Sequence, residues 1–350
     1  MKDTLTDANF PRTADGRVYH LGIRAGEVAN RIITVGPPAR ARSIASLLSP
    51  EPAPFVLESD RGFLTITGLF NGVPVSICAI GMGASNADFF VREVRECITR
   101  DMVVVRLGSC GGLLSTLPVG SIVVPKASVA VSRNYDFDFT NSDTQSEEPY
   151  HISKPVSADL ELHDSIVRSL QGFIPEGLNI LVKGDIVNAS ADSFYSSQGR
   201  QTSFPDNNEH LIDRMLQRVD SLGSLEMETF HILHLAKSWS DSSSGSRPGI
   251  PAIEEPAPSD PPVPHLPSST HVSNEPERLP TPEQKYAKHS RIRAVSVQMV
   301  FAARLSRDFI TPEVVRETEV WSGKAVLTAL SEFPIPEEKL HPSKGSVWAV

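Results

Sequence analysis

Met102-Val103-Val104-Val105-Arg106-Leu107-Gly108-Ser109-Cys110-Gly111-Gly112 (MVVVRLGSCGG) begins as an unbroken apolar run and meets a charge at Arg106. Apolar residues without alternation make Met102–Leu107 a strand buried on both faces, as in a sheet covered by helices on two sides. A guanidinium at the carboxyl end of such a strand is costly to desolvate unless something pairs with it. Ligands gather at those strand ends in open α/β sheets. Arg106 is therefore placed to hold an anion bidentately, with the Ser109 hydroxyl and the glycine N–H groups beside it. An arginine salt-bridged to a core carboxylate accounts for the same charge. For Cys110 no His or Asn partner is indicated, and a small packed side chain is the better explanation.

Working outward, Arg31–Gly36 (RIITVG) reads as a second buried strand, leading into a helix from about Ala39 to Leu48. Phe63–Gly81 reads as a hairpin closed by Asn71-Gly72, the pair favoured in two-residue turns. Ser85–Arg100 has apolar residues at helical spacing. Gly120–Val131 predicts two strand pieces around Pro125. Asp159–Gln171 predicts a helix, Asn179–Ser190 a strand and Asp206–Val219 a helix. Leu225–Lys237 passes from a strand end into a helix. Arg291–Leu305 predicts a late strand and Pro312–Leu330 a final helix. The alternation predicts a single-domain three-layer α/β/α sandwich with a mixed central sheet.

Composition changes after Lys237. Residues 238–246 are serine-rich, and 11 prolines fall between Pro248 and Pro282. Such a segment cannot bury enough apolar surface to offset its ordering entropy, so residues 238–285 are expected to be a disordered insertion within one domain spanning 18–331. Residues 1–17 and 332–350 are expected to be terminal extensions. The net charge of -9, with no basic run, argues against a nucleic-acid partner. Three cysteines without a CxxC pair argue against a disulfide framework or a zinc site. With no apolar stretch of membrane-spanning length and no signal-peptide pattern at the start, the expectation is a cytoplasmic protein that does not engage a membrane.

Three further constellations bear on chemistry. Gly36-Pro37-Pro38-Ala39-Arg40 joins a strand to a helix, where a close backbone, a helix N-terminus and the Arg40 charge suit an anion; an ordinary strand-to-helix turn reads the same way. Phe194-Tyr195-Ser196-Ser197-Gln198-Gly199-Arg200 brings an aromatic ring, an amide and a guanidinium within seven residues. That set can recognise a planar heterocycle, although a solvated loop has the same composition. Glu226-Met227-Glu228 could chelate a metal. It is equally explained by Glu228 accepting from sugar hydroxyls while Met227 packs on the apolar sugar face.

Taken in order, these motifs resemble the nucleoside phosphorylase-I family, and within it the uridine phosphorylases. The likeness runs from Val18-Tyr19-His20-Leu21-Gly22 to about Glu228 and resumes over Val295–Arg304. It implies phosphate binding by Gly36, Arg40, Arg106 and Ser109, with Arg61 reaching the neighbouring subunit's phosphate. It implies a ribose held by Met227 and Glu228, with Glu226 nearby and His20 crossing from the partner. Uracil would be read by Phe194, Gln198 and Arg200, with Arg304 near a base carbonyl. The implied reaction is reversible phosphorolysis of uridine, extending to deoxyuridine or thymidine. Inorganic phosphate would be the co-substrate, with no organic cofactor and no metal, in a homodimer or higher homo-oligomer. Two positions depart from the family pattern. Pro37 stands where relatives commonly carry an acidic residue, and Gly62 stands where some bacterial relatives use a glutamate for a monovalent ion, so that ion site is not carried over.

Rival readings remain open at this stage. A purine nucleoside phosphorylase of the same fold would use a late acidic residue, for which Asp308 is the candidate, and a nucleosidase would use water in place of phosphate. A catalytically silent nucleoside-binding scaffold would show broken site residues beside an elaborated interaction segment.

Overall fold

The computed structural model describes residues 4–140, 147–242 and 290–349. The strands are β1 (Leu5–Thr6), β2 (Arg12–Thr13), β3 (Arg31–Val35), β4 (Phe55–Glu58), β5 (Leu64–Phe70), β6 (Val73–Ala79), β7 (Met102–Gly112) and β8 (Ile122–Val123). They continue with β9 (Ala127–Arg133), β10 (Tyr150–Ile152), β11 (Val156–Ser157), β12 (Val182–Lys183), β13 (Val187–Ala191), β14 (Leu222–Glu226), β15 (Ile292–Ala303) and β16 (Asp308–Phe309). The described α-helices are α1 (Pro38–Ala45), α2 (Ala84–Cys97), α3 (Leu160–Gly172), α4 (Leu211–Arg218), α5 (Thr229–Ser242) and α6 (Pro312–Glu332).

Apart from the small β1–β2 pair, these strands share one mixed sheet ordered β10-β9-β13-β14-β7-β3-β6-β5-β4, with β15 along the other edge of β7. Successive strand residues point to opposite faces, and both faces are covered. Val103, Val105 and Leu107 pack in one layer with Ile44 of α1, Ile166 of α3 and Val326 of α6. Met102 and Val104 pack in the other with Phe90 of α2 and Ile232 of α5. This is the α/β/α sandwich expected from the doubly buried run. Among the described residues no helix is long and apolar enough to cross a membrane.

Several boundaries differ from expectation, each for a tertiary reason. β7 does not stop at Leu107: Gly108–Gly112 stay extended because β15 pairs with β7 in parallel from Ile292↔Met102 to Ala303↔Gly112. Glycine weakens a strand locally, but here it makes room. A Cβ on Gly111 would lie 3.1 Å from Arg304 Cγ, and one on Gly112 3.1 Å from Val300 Cγ1. The strand expected over 179–190 is split into β12 and β13. The helix expected from Asp206 begins at Leu211, because the preceding residues bond elsewhere: Tyr150 Oη donates to the Asp206 carbonyl, and Asn208 Nδ2 to the carbonyls of Ser196 and Arg200.

α5 runs through Ser242, five residues past the expected onset of disorder; the rest of the proline-rich stretch, 243–285, lies outside the described residues. The chain beyond α6 packs against the sheet. Buried Arg31 donates to the Leu330 and Phe333 carbonyls at the end of α6, where a cation meets the negative pole of the helix. Farther on, the His341 N–H bonds Asn30 Oδ1, and the Val347 N–H bonds the Gly26 carbonyl.

The sheet opens at one place. Along a single edge of β7, β3 pairs with Val103–Arg106 and β14 pairs, antiparallel, with Gly111 and Gly112. Between those two partners, residues 107–110 have no strand on that side among the described residues. A divergence of neighbouring strands is where α/β sheets make their ligand crevices.

Candidate active site

The crevice holds a pocket of about 440 Å³. Its lining comes from four places brought together by the sheet: the end of β3 with the start of α1, the turn before α2, the upper half of β7, and the β14–α5 junction. The loop at 194–200 and β15–β16 close the far side.

On the floor lie two buried guanidiniums, Arg40 and Arg106. Arg106 Nη2 donates to Glu228 Oε2 at 3.0 Å, while its Nε and Nη1 are buried without a partner among the described residues. The ion pair foreseen as an alternative to anion binding is thus present, but it uses one nitrogen of three. Unmatched buried donors on a cation are expensive, and an anion is a kind of group that could satisfy them. Arg40 donates through Nε to Glu319 Oε1 and through Nη1 to the Leu107 carbonyl, which lies in the unpaired stretch of β7. Burial presses the Arg40 pKa down, Glu319 opposes that and neighbouring Arg106 adds to it. Gly36 keeps the backbone close: a Cβ there would sit 3.9 Å from Arg106 Nη2. Ser109 lies on the pocket wall.

The carboxylates divide the work at the β14–α5 junction. Glu228 Oε1 accepts from the Gly83 N–H at 2.6 Å, and Oε2 faces Arg106. Glu226 Oε2 accepts from the N–H groups of Glu228 and Thr229 at the start of α5, and Oε1 accepts from Asn188 Nδ2 and Ser190 Oγ. With four donors, Glu226 fixes the turn that presents Met227 and Glu228. Its burial, with the Glu228 charge adding to it, raises its pKa despite those bonds. Among the described residues no group of three or more His, Cys, Asp or Glu could hold a metal ion.

Across the pocket, Arg200 stacks over the Phe194 ring at 3.8 Å and donates through Nη1 to the Phe194 carbonyl and to Gln198 Oε1. Gln198 Nε2 has no acceptor among the described residues. Burial and the nearby Arg304 charge push Arg200 down to about 10, which leaves it charged at neutral pH. Arg304 is not on the pocket wall; its Nη2 donates to the Gln198 carbonyl at 2.9 Å, and its Nη1 is buried with no partner among the described residues.

His20 and Arg61 stand apart from this pocket. His20 is stacked on Phe89 and bonded to Glu93 at 2.6 Å, and Arg61 lies over Tyr19, whose hydroxyl it bonds. Asp308 is exposed, accepts from Ser306 Oγ and does not line the pocket. Sequence reasoning missed Gly81, Met82, Phe301 and Phe309 on the pocket wall. Gly81-Met82-Gly83 between a strand and a helix was a usable signal, since both glycines have positive φ and bring the backbone close. The aromatic pair carried none, because its place follows from β15–β16 pairing.

Residues 30–239 match the family described as the phosphorylase superfamily. The chain is 26% identical over 236 residues to uridine phosphorylase of Thermococcus kodakarensis, covering 67% of this chain and 77% of that protein. It is 24% identical over 220 residues to the DeoD-type purine nucleoside phosphorylase of Oceanobacillus iheyensis, covering 63% and 81%. A structure from work on two uridine phosphorylases of the oomycete Phytophthora capsici superposes with a TM-score of 0.76, at 33% identity, covering 95% of this chain and 100% of that one.

Proposed function

Because the chain belongs to the phosphorylase superfamily, we propose that its pocket cleaves uridine with inorganic phosphate, giving uracil and ribose 1-phosphate, with deoxyuridine or thymidine as related substrates. The observation that carries this reading is the orphaned edge of Arg106: two buried donors of a cation, beside a second buried arginine, facing a pocket whose far wall can read a planar base.

In this reading Arg40, Arg106, Ser109 and the Gly36 backbone hold phosphate against the anomeric carbon, supplying position and charge. A phosphate oxygen forms its bond to C1′ as the C1′–N1 bond breaks, through an oxocarbenium-like sugar. The electron pair of the broken bond goes to the pyrimidine and spreads into its carbonyls, where Gln198 Nε2 and Arg200 donate. The departing base then takes a proton from water. Glu228 accepts from the ribose hydroxyls, Met227 packs on the sugar, and Glu226 holds both in place. No side chain forms a bond to the sugar, and no organic cofactor is required.

His20 and Arg61 serve, in the same reading, the pocket of a second copy, so the active form is a homodimer or larger. The likeness to purine enzymes makes the base assignment the point to test. The Gln198–Arg200 pair supports a pyrimidine, and the exposed, Ser306-bonded Asp308 lends a purine no acid.

The test is release of free base from uridine and from inosine, each with and without phosphate. Phosphate-dependent uracil release is expected, and Arg106→Ala should lower kcat/KM by roughly 10²–10³, the cost of one preorganised anion donor. Release from inosine alone reverses the base assignment. Release without phosphate replaces phosphorolysis by hydrolysis, and no turnover by a folded chain leaves a binding protein.

A further inference from the structure

Arg40 and Arg106 lie close enough to repel one another, and each has one carboxylate partner. That of Arg106 is Glu228, inside the pocket. That of Arg40 is Glu319, on α6, which is beyond the residues matched by the family and does not line the pocket. The contact is built into the packing of two helices. Arg40 and Ile44 sit one turn apart on α1, and Glu319 and Gly323 sit one turn apart on α6. A Cβ on Gly323 would lie 2.9 Å from Ile44 Cγ1. The absent side chain lets α6 approach α1 closely enough for Glu319 Oε1 to take the Arg40 Nε proton donor at 2.7 Å. With Nη1 on the Leu107 carbonyl at 3.3 Å, the guanidinium is fixed at two points, and Nη2 is the nitrogen without a protein acceptor among the described residues.

We propose that Glu319 is a positioning residue of the phosphate subsite, holding Arg40 so that its free nitrogen serves the anion. The inference rests on the reading of this pocket as a phosphate site. Two effects of the Glu319 carboxylate oppose each other. Its negative charge repels phosphate, so that effect alone predicts tighter phosphate on neutralisation. Its acceptor oxygen keeps a buried cation from turning toward solvent, as an unpaired buried charge otherwise would. The depth of Arg40, 5% exposed, and its repulsion by Arg106 make orientation the larger effect.

The two effects separate in a pair of variants of the full chain, measured by calorimetric binding of inorganic phosphate and by initial rates with phosphate and uridine varied in turn. Glu319→Ala is expected to weaken phosphate roughly tenfold or more, with the uridine KM within about twofold of wild type. Glu319→Gln keeps an oxygen for Arg40 Nε and is expected to bind phosphate within about threefold of wild type, or more tightly. Phosphate binding unchanged or tightened in Glu319→Ala overturns the proposal, leaving Glu319 a counter-charge only. Equal weakening in both variants overturns it too, since acceptor geometry then does not matter. If Glu319→Ala does not fold, Glu319→Asp, which draws the carboxylate back by one methylene, takes its place with the same expectation. A wild-type chain that binds no phosphate sinks the phosphorolysis reading, and this inference with it, before any variant is compared.

Discussion

Arg106 was visible in the sequence as a charge in an apolar run, and of the two explanations offered for it the structure shows the ion pair with a core carboxylate. One nitrogen pairs with Glu228, and two are buried without an acceptor among the described residues, which is where the proposed phosphate would bind. Cys110, four residues on, is buried, and burial with the Glu226 charge pushes its thiol well above the usual range. Since the thiolate is the reactive form, native protein treated with iodoacetamide at neutral pH should show no label at Cys110 by mass spectrometry. Labelling there, with loss of activity, would make it a functional thiol. Glu226 gives a pH prediction. Its pKa is raised in the folded chain by burial and by Glu228, so folding favours its neutral form. That contribution is complete below the ordinary glutamate value of 4.5 and is lost as pH rises through the raised folded value. Thermal melts from pH 4.5 upward should therefore fall more steeply for wild type than for Glu226→Gln. Parallel curves would mean that the four hydrogen bonds hold Glu226 ionised throughout.

The β5–β6 hairpin was legible because Asn71-Gly72 specifies its turn chemically: both residues have positive φ, 50° and 77°, and the flanking pair Phe70↔Val73 closes a two-residue loop. A Cβ at Gly72 would meet nothing within 4 Å, so the cost of Gly72→Ala is conformational alone. Urea denaturation should show a loss of about 1 kcal/mol, with kcat/KM unchanged. A loss several times larger would mean the turn makes contacts beyond its own backbone. Elements without such chemistry were misjudged at their ends. The extension of β7 over glycines depends on β15, about 190 residues away, and the late start of α4 depends on Asp206 being held by Tyr150 and Asn208 by the loop at 196–200.

For the whole molecule, the placement of His20 and Arg61 away from the pocket is where the proposed assembly is open to experiment. If they complete a partner's site, His20→Ala and Arg106→Ala spoil different halves of it. Co-expressed, the two variants should recover roughly a quarter of wild-type activity, since half of randomly formed dimers are mixed and one of their two sites is intact. Activity no greater than the sum of the separate variants would place both groups in the same subunit's site. Pocket residues from four stretches of chain, 36–40, 106–111, 194–200 and 225–228, were legible, because each sits beside a strand end or glycine turn. Phe301, Phe309 and Glu319 were not, because only the return of the chain after residue 290 brings the two rings to the crevice and Glu319 to Arg40.

The sequence by itself determined the layers and most of the polar site. Burial on both faces of a strand is written in its residue pattern, and a charge at such a strand marks a place that needs a counter-charge, from the protein or from a ligand. Only the tertiary structure decided where the crevice opens and how its groups are aimed. The gap along β7 exists because β3 and β14 leave and join the same edge at different points. Arg40 is aimed by a carboxylate 279 residues later in the chain. Strand register and helix approach are set by packing between distant segments, which local composition does not encode.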